Sequence, residues 1–300
     1  MRIAVTGGTG FVGTHLTRKL VDEGHELFIL TRSPEKHHDT NRIHYVGWLK
    51  DQFKPEDELL HLDAIVNLAG ENLNEGRWTE EQKNKIHNSR IEATDAVIEL
   101  MKRLESPPKI LVNASAVGFY GTSRTEQFTE ETTTPGDDFL AHVTAEWENR
   151  AQQAEELGVR TSYLRFGVIL GEEGALQKMV LPYKLYAGGN IGDGEQWMSW
   201  IHIQDVVGLL VFALTNEHVS GPLNVTAPTP KRNKDMGRTI ATVLNKPHWI
   251  PAPAKALKLA LGEMSTLVLN GQYVYPKKAL ELGYEFKYPN LEPALQNILT

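Results

Sequence analysis

The sequence predicts an α/β fold, a doubly wound parallel sheet with a smaller, mostly helical C-terminal lobe. Three observations carry this. Short apolar runs alternate with amphipathic helical stretches through the first half of the 300 residues, and parallel strands need such crossover connections. The first run leads straight into a turn with glycines at every third position, then a helix. The second half changes texture: Gly171, Gly174, Gly188, Gly189, Gly192 and Gly194 break it into short pieces, and Pro228, Pro230, Pro247, Pro251 and Pro253 punctuate the rest. The sheet domain is expected over residues 1–170, completed by 200–227, and the small lobe over 171–199 and 228–300. Such a lobe would cover the carboxyl ends of the strands, where open α/β sheets take their ligands.

The elements follow in order. Arg2–Thr6 reads as strand one, and Phe11, Val12, Leu16 and Leu20 form the apolar face of a helix that Gly24 ends. Glu26–Thr31 is strand two, Ile43–Trp48 a weaker third and Ala64–Gly70 a fourth. A helix from about Thr79 to Leu104 is stopped by Pro107-Pro108. Lys109–Ser115 is the fifth strand, Asp138–Glu156 a helix closed near Gly158, and Val159–Arg165 the sixth strand. Ile203–Leu214 reads as a helix and Pro222–Val225 as a short strand. From Ala254 the pattern is helical again through Leu257, Leu261, Met264 and Leu267, then over Pro276–Leu282.

The turn Thr6-Gly7-Gly8-Thr9-Gly10-Phe11-Val12-Gly13 carries the chemistry. Without Cβ atoms at 7, 10 and 13, the backbone turns tightly and comes close to a pyrophosphate. The helix start then offers unpaired N–H groups and a positive dipole end to that anion. The pattern predicts a Rossmann-type dinucleotide site, the alternative being an ordinary strand-to-helix turn. Strand two ends Leu30-Thr31-Arg32-Ser33, with no carboxylate before Glu35 to hold a free ribose 2′-hydroxyl. Arg32 suits a 2′-phosphate, with a further hydrogen bond from Ser33, so NADP(H) is the expected cofactor. The bland alternative is a solvent-facing arginine at a strand end.

Composition bounds the rest. With 31 Lys and Arg against 38 Asp and Glu, a net charge of −7 argues against a nucleic-acid partner. The longest apolar run, Val206–Leu214, is too short to span a bilayer. Strand and glycine turn occupy the first residues, so no leader and a cytoplasmic location are expected. No cysteine is present, which excludes disulfides, thiolate catalysis and cysteine-bound metals. No His and carboxylate spacing suggests a metal. Ser115 lacks the Gly-x-Ser-x-Gly elbow of a serine hydrolase.

The chain resembles the extended short-chain dehydrogenase/reductase superfamily, which includes nucleotide-sugar epimerases and dehydratases. The residues that carry this are TGGTGFVG at 6–13, Asp63 with NLAG at 67–70, Phe119-Tyr120-Gly121, Leu164-Arg165, and Trp200-Ile201-His202-Ile203-Gln204-Asp205. More narrowly it is similar to an atypical, epimerase-like family, also described as cell-division-inhibitor-like. That likeness rests on GENLNEGRW at 70–78, SR at 89–90, SAVGFYG at 115–121, GDGEQWMSWIHIQD at 192–205 and LNVTAPTP at 223–230. It continues into a C-terminal segment of unknown function from about Pro247.

The resemblance implies cofactor contacts for Gly10, Phe11, Val12 and Gly13 at the pyrophosphate, and for Leu68, Ala69 and Gly70 along the adenosine ribose and the link to nicotinamide. It places Val168 beside the carboxamide. Glu71 and Arg77 become candidates for ribose and phosphate contacts, or a polar surface loop. The superfamily's Ser, Tyr and Lys fall on Ala116, Leu140 and Thr144, counting from Tyr120-Gly121 and from Glu148. Leucine cannot move a proton, and threonine supplies no positive charge. The narrower family is described as lacking these residues. A dimer through the helices at about 79–104 and 138–156 is common in the superfamily.

Candidates for proton transfer remain in Ser115, Tyr120 and His202. Tyr120 also reads as an aromatic packed beside the turn after strand five. His142 lies two residues from both Leu140 and Thr144, about 200° around a helix from either, and should face away. Trp197–His202 is the best substrate stretch, since aromatics combine apolar area with a polar handle. His202 titrates near neutrality in its ordinary form. Asp205 reads as a partner for His202 or a cap for the next helix. Two functions compete: an NADP(H)-dependent oxidoreductase or epimerase-like enzyme on a small, possibly nucleotide-linked substrate, and a non-catalytic NADP(H)-sensing protein that acts through a partner, with a link to cell division.

Overall fold

A computed structural model describes residues 1–74 and 76–300; position 75 of the 70–78 motif lies outside the described residues. Seven parallel strands form the main sheet: β1 (Arg2–Thr6), β2 (Glu26–Thr31), β3 (Ile43–Gly47), β4 (Ala64–Asn67), β5 (Ile110–Ala116), β6 (Arg160–Phe166) and β7 (Gly221–Val225). Their spatial order is β3-β2-β1-β4-β5-β6-β7. The order reverses between β1 and β4, and a crevice opens there at the carboxyl ends of the strands.

Both faces of the sheet are covered, which explains why its strands are apolar nearly throughout. Ile3, Val5, Val66 and Leu164 face one layer, which holds α1 (Phe11–Asp22) and the helix over Ile203–Thr215. Ala4, Ile65 and Leu111 face the other, against α2 (Glu80–Arg103) and α3 (Phe139–Gln152). The period-two alternation along β1 and β4 decides which side chain enters which layer.

The helix ends differ in a way that bears on the site. Thr79 caps α2 by accepting from the Gln82 N–H at 3.2 Å, with Glu80 and Glu81 in its first turn. Asp138 caps α3, accepting from the Ala141 N–H at 2.9 Å. At α1 the cap position is Gly10, and neither a side-chain cap nor an acidic first-turn residue is present. The first-turn N–H groups of α1 therefore have no side-chain cap among the described residues.

β4 ends three residues earlier than its apolar run suggests. Thr6 Oγ1 accepts from the N–H groups of Leu68 (3.1 Å) and Ala69 (3.2 Å), and this turns the chain off the sheet. Further along, α4 (Ala175–Lys184), α5 (Ile203–Thr215) and α6 (Asn233–Leu244) lead to α7 (Ala254–Leu261) and α8 (Leu291–Leu299). A separate core of Leu176, Val180, Trp200, Met236, Ile240 and Leu295 joins α4, α6 and α8. Asp205 neither caps α5 nor pairs with His202. Its carboxylate accepts from the backbone of Lys287 (2.7 Å) and Tyr288 (2.9 Å) and ties the C-terminal segment to α5. The cap is His202, whose Nδ1 accepts from the Gln204 N–H at 3.1 Å.

Candidate functional site

The glycine turn is shaped by contacts that leave no room for side chains. Gly7 has φ +65°, and a Cβ there would lie 2.7 Å from the Leu68 carbonyl oxygen. A Cβ at Gly13 would lie 2.2 Å from the Gly7 carbonyl oxygen. The first turn of α1 is therefore seated on the loop, with Thr9 and Gly10 exposed at its rim. The bare helix start and close-packed loop fit a pyrophosphate. Arg32 is exposed at the end of β2 with no ion pair among the described residues, and Ser33 follows at the start of the next turn.

Beneath this rim a buried network locks the strand ends. Thr6 Oγ1 donates to Asn67 Oδ1 at 2.6 Å, and Asn67 Nδ2 donates to Asn113 Oδ1 at 2.7 Å and to Thr94 Oγ1 at 3.1 Å. Trp147 Nε1 reaches the same Thr94 hydroxyl at 2.9 Å. The network holds Leu68–Gly70 as the wall of a cleft of about 690 Å³. Val12, Leu68, Ala69, Gly70 and Val168 all line it. The C-terminal segment supplies residues 266–268 and 270–272 to the same lining.

Of the residues weighed for proton transfer, Ser115 lines the cleft, but its hydroxyl donates to Glu148 Oε1 at 2.6 Å. Tyr120 is buried outside the lining. Its hydroxyl donates to Asn224 Oδ1 (2.7 Å) and accepts from Arg165 Nη1 (2.9 Å), and burial pushes the phenol up to about 12. His202 also lies outside the lining. It is 1% exposed and stacked on Tyr288 with centroids 3.9 Å apart, and burial pushes it down to about 4. The sequence placed it where it would titrate near neutrality; the packed core withholds that proton.

Ala116, Leu140 and Thr144 do line the cleft, and none presents a free proton-transfer group. The Thr144 hydroxyl donates back to the Leu140 carbonyl at 2.7 Å. His142 is exposed on another face of α3. Glu71 is half-buried, and its carbonyl accepts from Arg90 Nη2 at 3.0 Å. Arg77 is spent on the C-terminal segment: Nε donates to the Ala260 carbonyl and Nη2 to that of Leu259, both at 3.1 Å.

Comparison with known proteins agrees with this architecture. The model of the NAD dependent epimerase/dehydratase family matches residues 3–226. The chain belongs to the NAD-dependent epimerase/dehydratase family. Residues 252–298 match a domain of unknown function, DUF1731, which contributes the cleft roof. Epimerase family protein YfhF of Bacillus subtilis (strain 168) is 49% identical over 299 residues, covering 100% of this chain and 98% of that protein. Epimerase family protein SA0724 of Staphylococcus aureus (strain N315) is 45% identical over 296 residues, 98% of each. Among solved structures, human epimerase family protein SDR39U1 (isoform 2) with NADPH superposes with a TM-score of 0.87 at 34% identity, covering 99% of both chains. A nucleoside-diphosphate sugar epimerase from Corynebacterium glutamicum gives 0.78 at 32% identity, over 100% of this chain and 58% of that one.

Two cleft residues of this epimerase/dehydratase family member escape sequence reasoning as site groups. Arg90 lines the cleft against Gly70, its guanidinium 5.2 Å from the Trp147 ring centre, and burial pushes it down to about 10. Gln196 lies in the wall beside Trp197 and Met198. The SR pair at 89–90 and the GDGEQW run were visible as motifs, yet nothing in them says which side chain turns inward.

Proposed function

We propose that this cleft binds NADP(H) and supports hydride transfer to or from a small, largely apolar substrate, without the Ser/Tyr/Lys proton relay of the superfamily. The observation that carries this is the continuity of the cleft: one cavity reaches Val12 on α1, the β4 and β5 ends and the C-terminal roof. When bound, the dinucleotide supplies a nicotinamide carbon that gives or takes hydride. The chain's own part is to hold and to exclude water. Gly10–Gly13 would meet the pyrophosphate, Leu68–Gly70 the ribose side, and Arg32 with Ser33 the 2′-phosphate. Val168 would lie beside the carboxamide, and Leu140, Val143, Trp197 and Leu267 would keep the reacting carbon dry. With Ser115, Tyr120 and Thr144 engaged elsewhere, the proton taken up in reduction or released in oxidation would pass between the substrate oxygen and a water admitted with it, while the hydride-bearing carbon stays dry.

The test is NADPH and NADH titration of the purified protein, followed by incubation of 4-deuterated NADPH with pools of quinones, aldehydes and sugar nucleotides. Tighter NADPH binding and deuterium in a product are expected. Failure to bind either dinucleotide would sink the proposal. The same engaged hydroxyls favour a second reading, a non-catalytic NADP(H)-sensing protein; tight binding with no transfer across every pool would select it.

A further inference from the structure

Most of the large apolar side chains exposed among the described residues fall on two chain segments. Leu181, Leu185 and Tyr186 lie at the end of α4, and Trp249, Ile250 and Leu259 lie in and before α7. Leu185 is 68% exposed, Trp249 66% and Leu259 82%. The two segments are tied together at both ends, which sets them antiparallel. At one end the Trp249 indole Nε1 donates to the Tyr186 carbonyl at 2.7 Å, and the Trp249 N–H donates to the Gly188 carbonyl at 2.8 Å. At the other, Lys178 Nζ donates to the Asn74 carbonyl at 3.2 Å, while Arg77 on the same loop holds the carbonyls of Leu259 and Ala260. One face carries both apolar sets.

The charge of this face has a single sign. From residue 174 to 192 and from 236 to 262 the chain has no Asp or Glu, although its net charge is −7. Lys178, Lys184, Lys246, Lys255 and Lys258 fall within these stretches. Lys246 donates to the Tyr186 hydroxyl at 2.6 Å, and Lys184, Lys255 and Lys258 are exposed. Acids that bound the stretches are spent on other cations: Asp193 on Arg124 at 2.6 Å, Asp235 on Arg238 at 3.6 Å and Glu263 on Lys83 at 2.5 Å. On α7, Lys255, Lys258 and Leu259 share the exposed side at i, i+3 and i+4, while the less exposed Ala254, Leu257 and Leu261 turn toward the protein.

A second copy of the chain fits this face poorly, because twofold pairing sets the face against itself and brings its lysines together. Lysines interleaved with Trp, Tyr and Leu match a bilayer surface instead. There the ammonium groups meet lipid phosphates, aromatic rings rest at headgroup level and aliphatic side chains go below. Among the described residues no helix is long and apolar enough to cross a membrane, so such an association is peripheral. We propose that α4 and residues 246–261 dock on a bilayer rich in anionic phospholipid, with Leu185, Trp249 and Leu259 inserted and Lys184, Lys255 and Lys258 on the headgroup phosphates. Glu263 of the cleft roof lies two residues beyond α7, so docking brings that roof to the lipid.

The test is co-sedimentation of the full chain with two kinds of vesicle at low and high salt: phosphatidylcholine alone, and phosphatidylcholine with an equal part of phosphatidylglycerol. Binding to the anionic vesicles is expected to exceed binding to the neutral ones at least about tenfold. It should fall at least about fivefold at high salt. A chain of net charge −7 is repelled overall by such vesicles, so binding there requires a local cationic face. Trp249→Ser with Leu259→Ser should weaken binding at least about tenfold. Lys255→Gln with Lys258→Gln should weaken it on anionic vesicles only and lessen its dependence on salt. No binding to anionic vesicles at low salt, equal binding to both kinds, indifference to salt, or wild-type binding by either variant would each overturn the proposal. A lipid-free dimer dispersed by Leu185→Ser would put a second copy on the face and overturn it too. Circular dichroism checks that each variant folds; should one not, the lipid and salt comparisons on the wild type decide.

Discussion

Arg165 grips both carboxylate oxygens of Glu148 beneath the cleft, Nε to Oε1 at 2.8 Å and Nη2 to Oε2 at 2.7 Å. The guanidinium also lies 3.5 Å from the centre of the Phe119 ring and donates to the Tyr120 hydroxyl. Glu148 comes from α3 and Arg165 from β6, so the pair joins the helix that lines the cleft to the sheet that floors it. Ser115 and Tyr120 are drawn into this network, which is why neither hydroxyl is free for chemistry. Arg165→Met should cost about 3–5 kcal/mol, because it leaves a buried carboxylate uncompensated. The double change Arg165→Met with Glu148→Leu should recover much of the loss. Urea denaturation of the single and double variants checks both; a single-variant loss below about 1 kcal/mol would contradict the assigned role.

Gly13→Ala tests the loop. The new methyl would meet the Gly7 carbonyl oxygen at 2.2 Å and Gly8 Cα at 2.6 Å, both backbone atoms that cannot swing aside. Strain of about 1–3 kcal/mol is expected, with α1 lifted from the loop and NADPH affinity reduced at least about tenfold at unchanged helix content. Fluorescence titration with NADPH and circular dichroism together measure this. Wild-type affinity in the variant would show that the close seating is dispensable.

Arg32→Asp should invert cofactor preference. A charge-assisted hydrogen bond contributes about 1.5–3 kcal/mol, and the new carboxylate both repels a 2′-phosphate and accepts from a free 2′-hydroxyl. The ratio of NADH to NADPH dissociation constants is the quantity to follow. An unchanged ratio would assign Arg32 to the solvent.

The sheet was legible because both of its faces are buried, so β1, β2, β4 and β5 each write a nearly continuous apolar run into the sequence. The glycine turn was legible because its spacing is dictated by backbone contacts within a few residues. What the sequence hid depends on distant partners. Arg77 looked like a phosphate ligand, yet its acceptors are carbonyls of residues 259 and 260. The paired strands Val168–Leu170 and Trp200–His202 are too short to show a period. His202 and Tyr120 carry the right chemistry in the wrong place, since burial is a property of the fold and not of the residue. Arg90 and Gln196 become site residues only once α2 and the C-terminal roof enclose the same cavity.

Arg90 should matter through charge. Its Nη1 donates to the Ile86 carbonyl at 2.8 Å and Nη2 to that of Glu71 at 3.0 Å, so its partners are dipoles and not a carboxylate. A half-buried cation without a carboxylate partner gains from an incoming anion. Arg90→Met, which keeps the stem against Trp147, should weaken NADPH binding about tenfold and flatten its dependence on salt. Titrations at two ionic strengths separate these effects. Equal affinity in variant and wild type would remove Arg90 from the binding account.

His202 makes the stability of the protein depend on pH. Burial takes its pKa from 6.5 down to about 4, outweighing the nearby Asn297 amide. Between those values the unfolded chain binds a proton that the folded chain refuses, so stability is full above about pH 6.5 and is lost as pH falls toward 4. The loss attributable to this group approaches about 3 kcal/mol. Asp205, raised by burial from 3.8, acts in the opposite sense and lowers stability as pH rises through its own titration. Because that contribution is common to both proteins, the comparison to make is the slope of unfolding free energy between pH 7 and 4.5 in wild type and in His202→Gln. The variant loses the stacking on Tyr288 and should start less stable at neutral pH, yet decline less steeply. Parallel slopes would mean that the ring accepts its proton within the fold, and His202 would then return as a candidate for proton transfer.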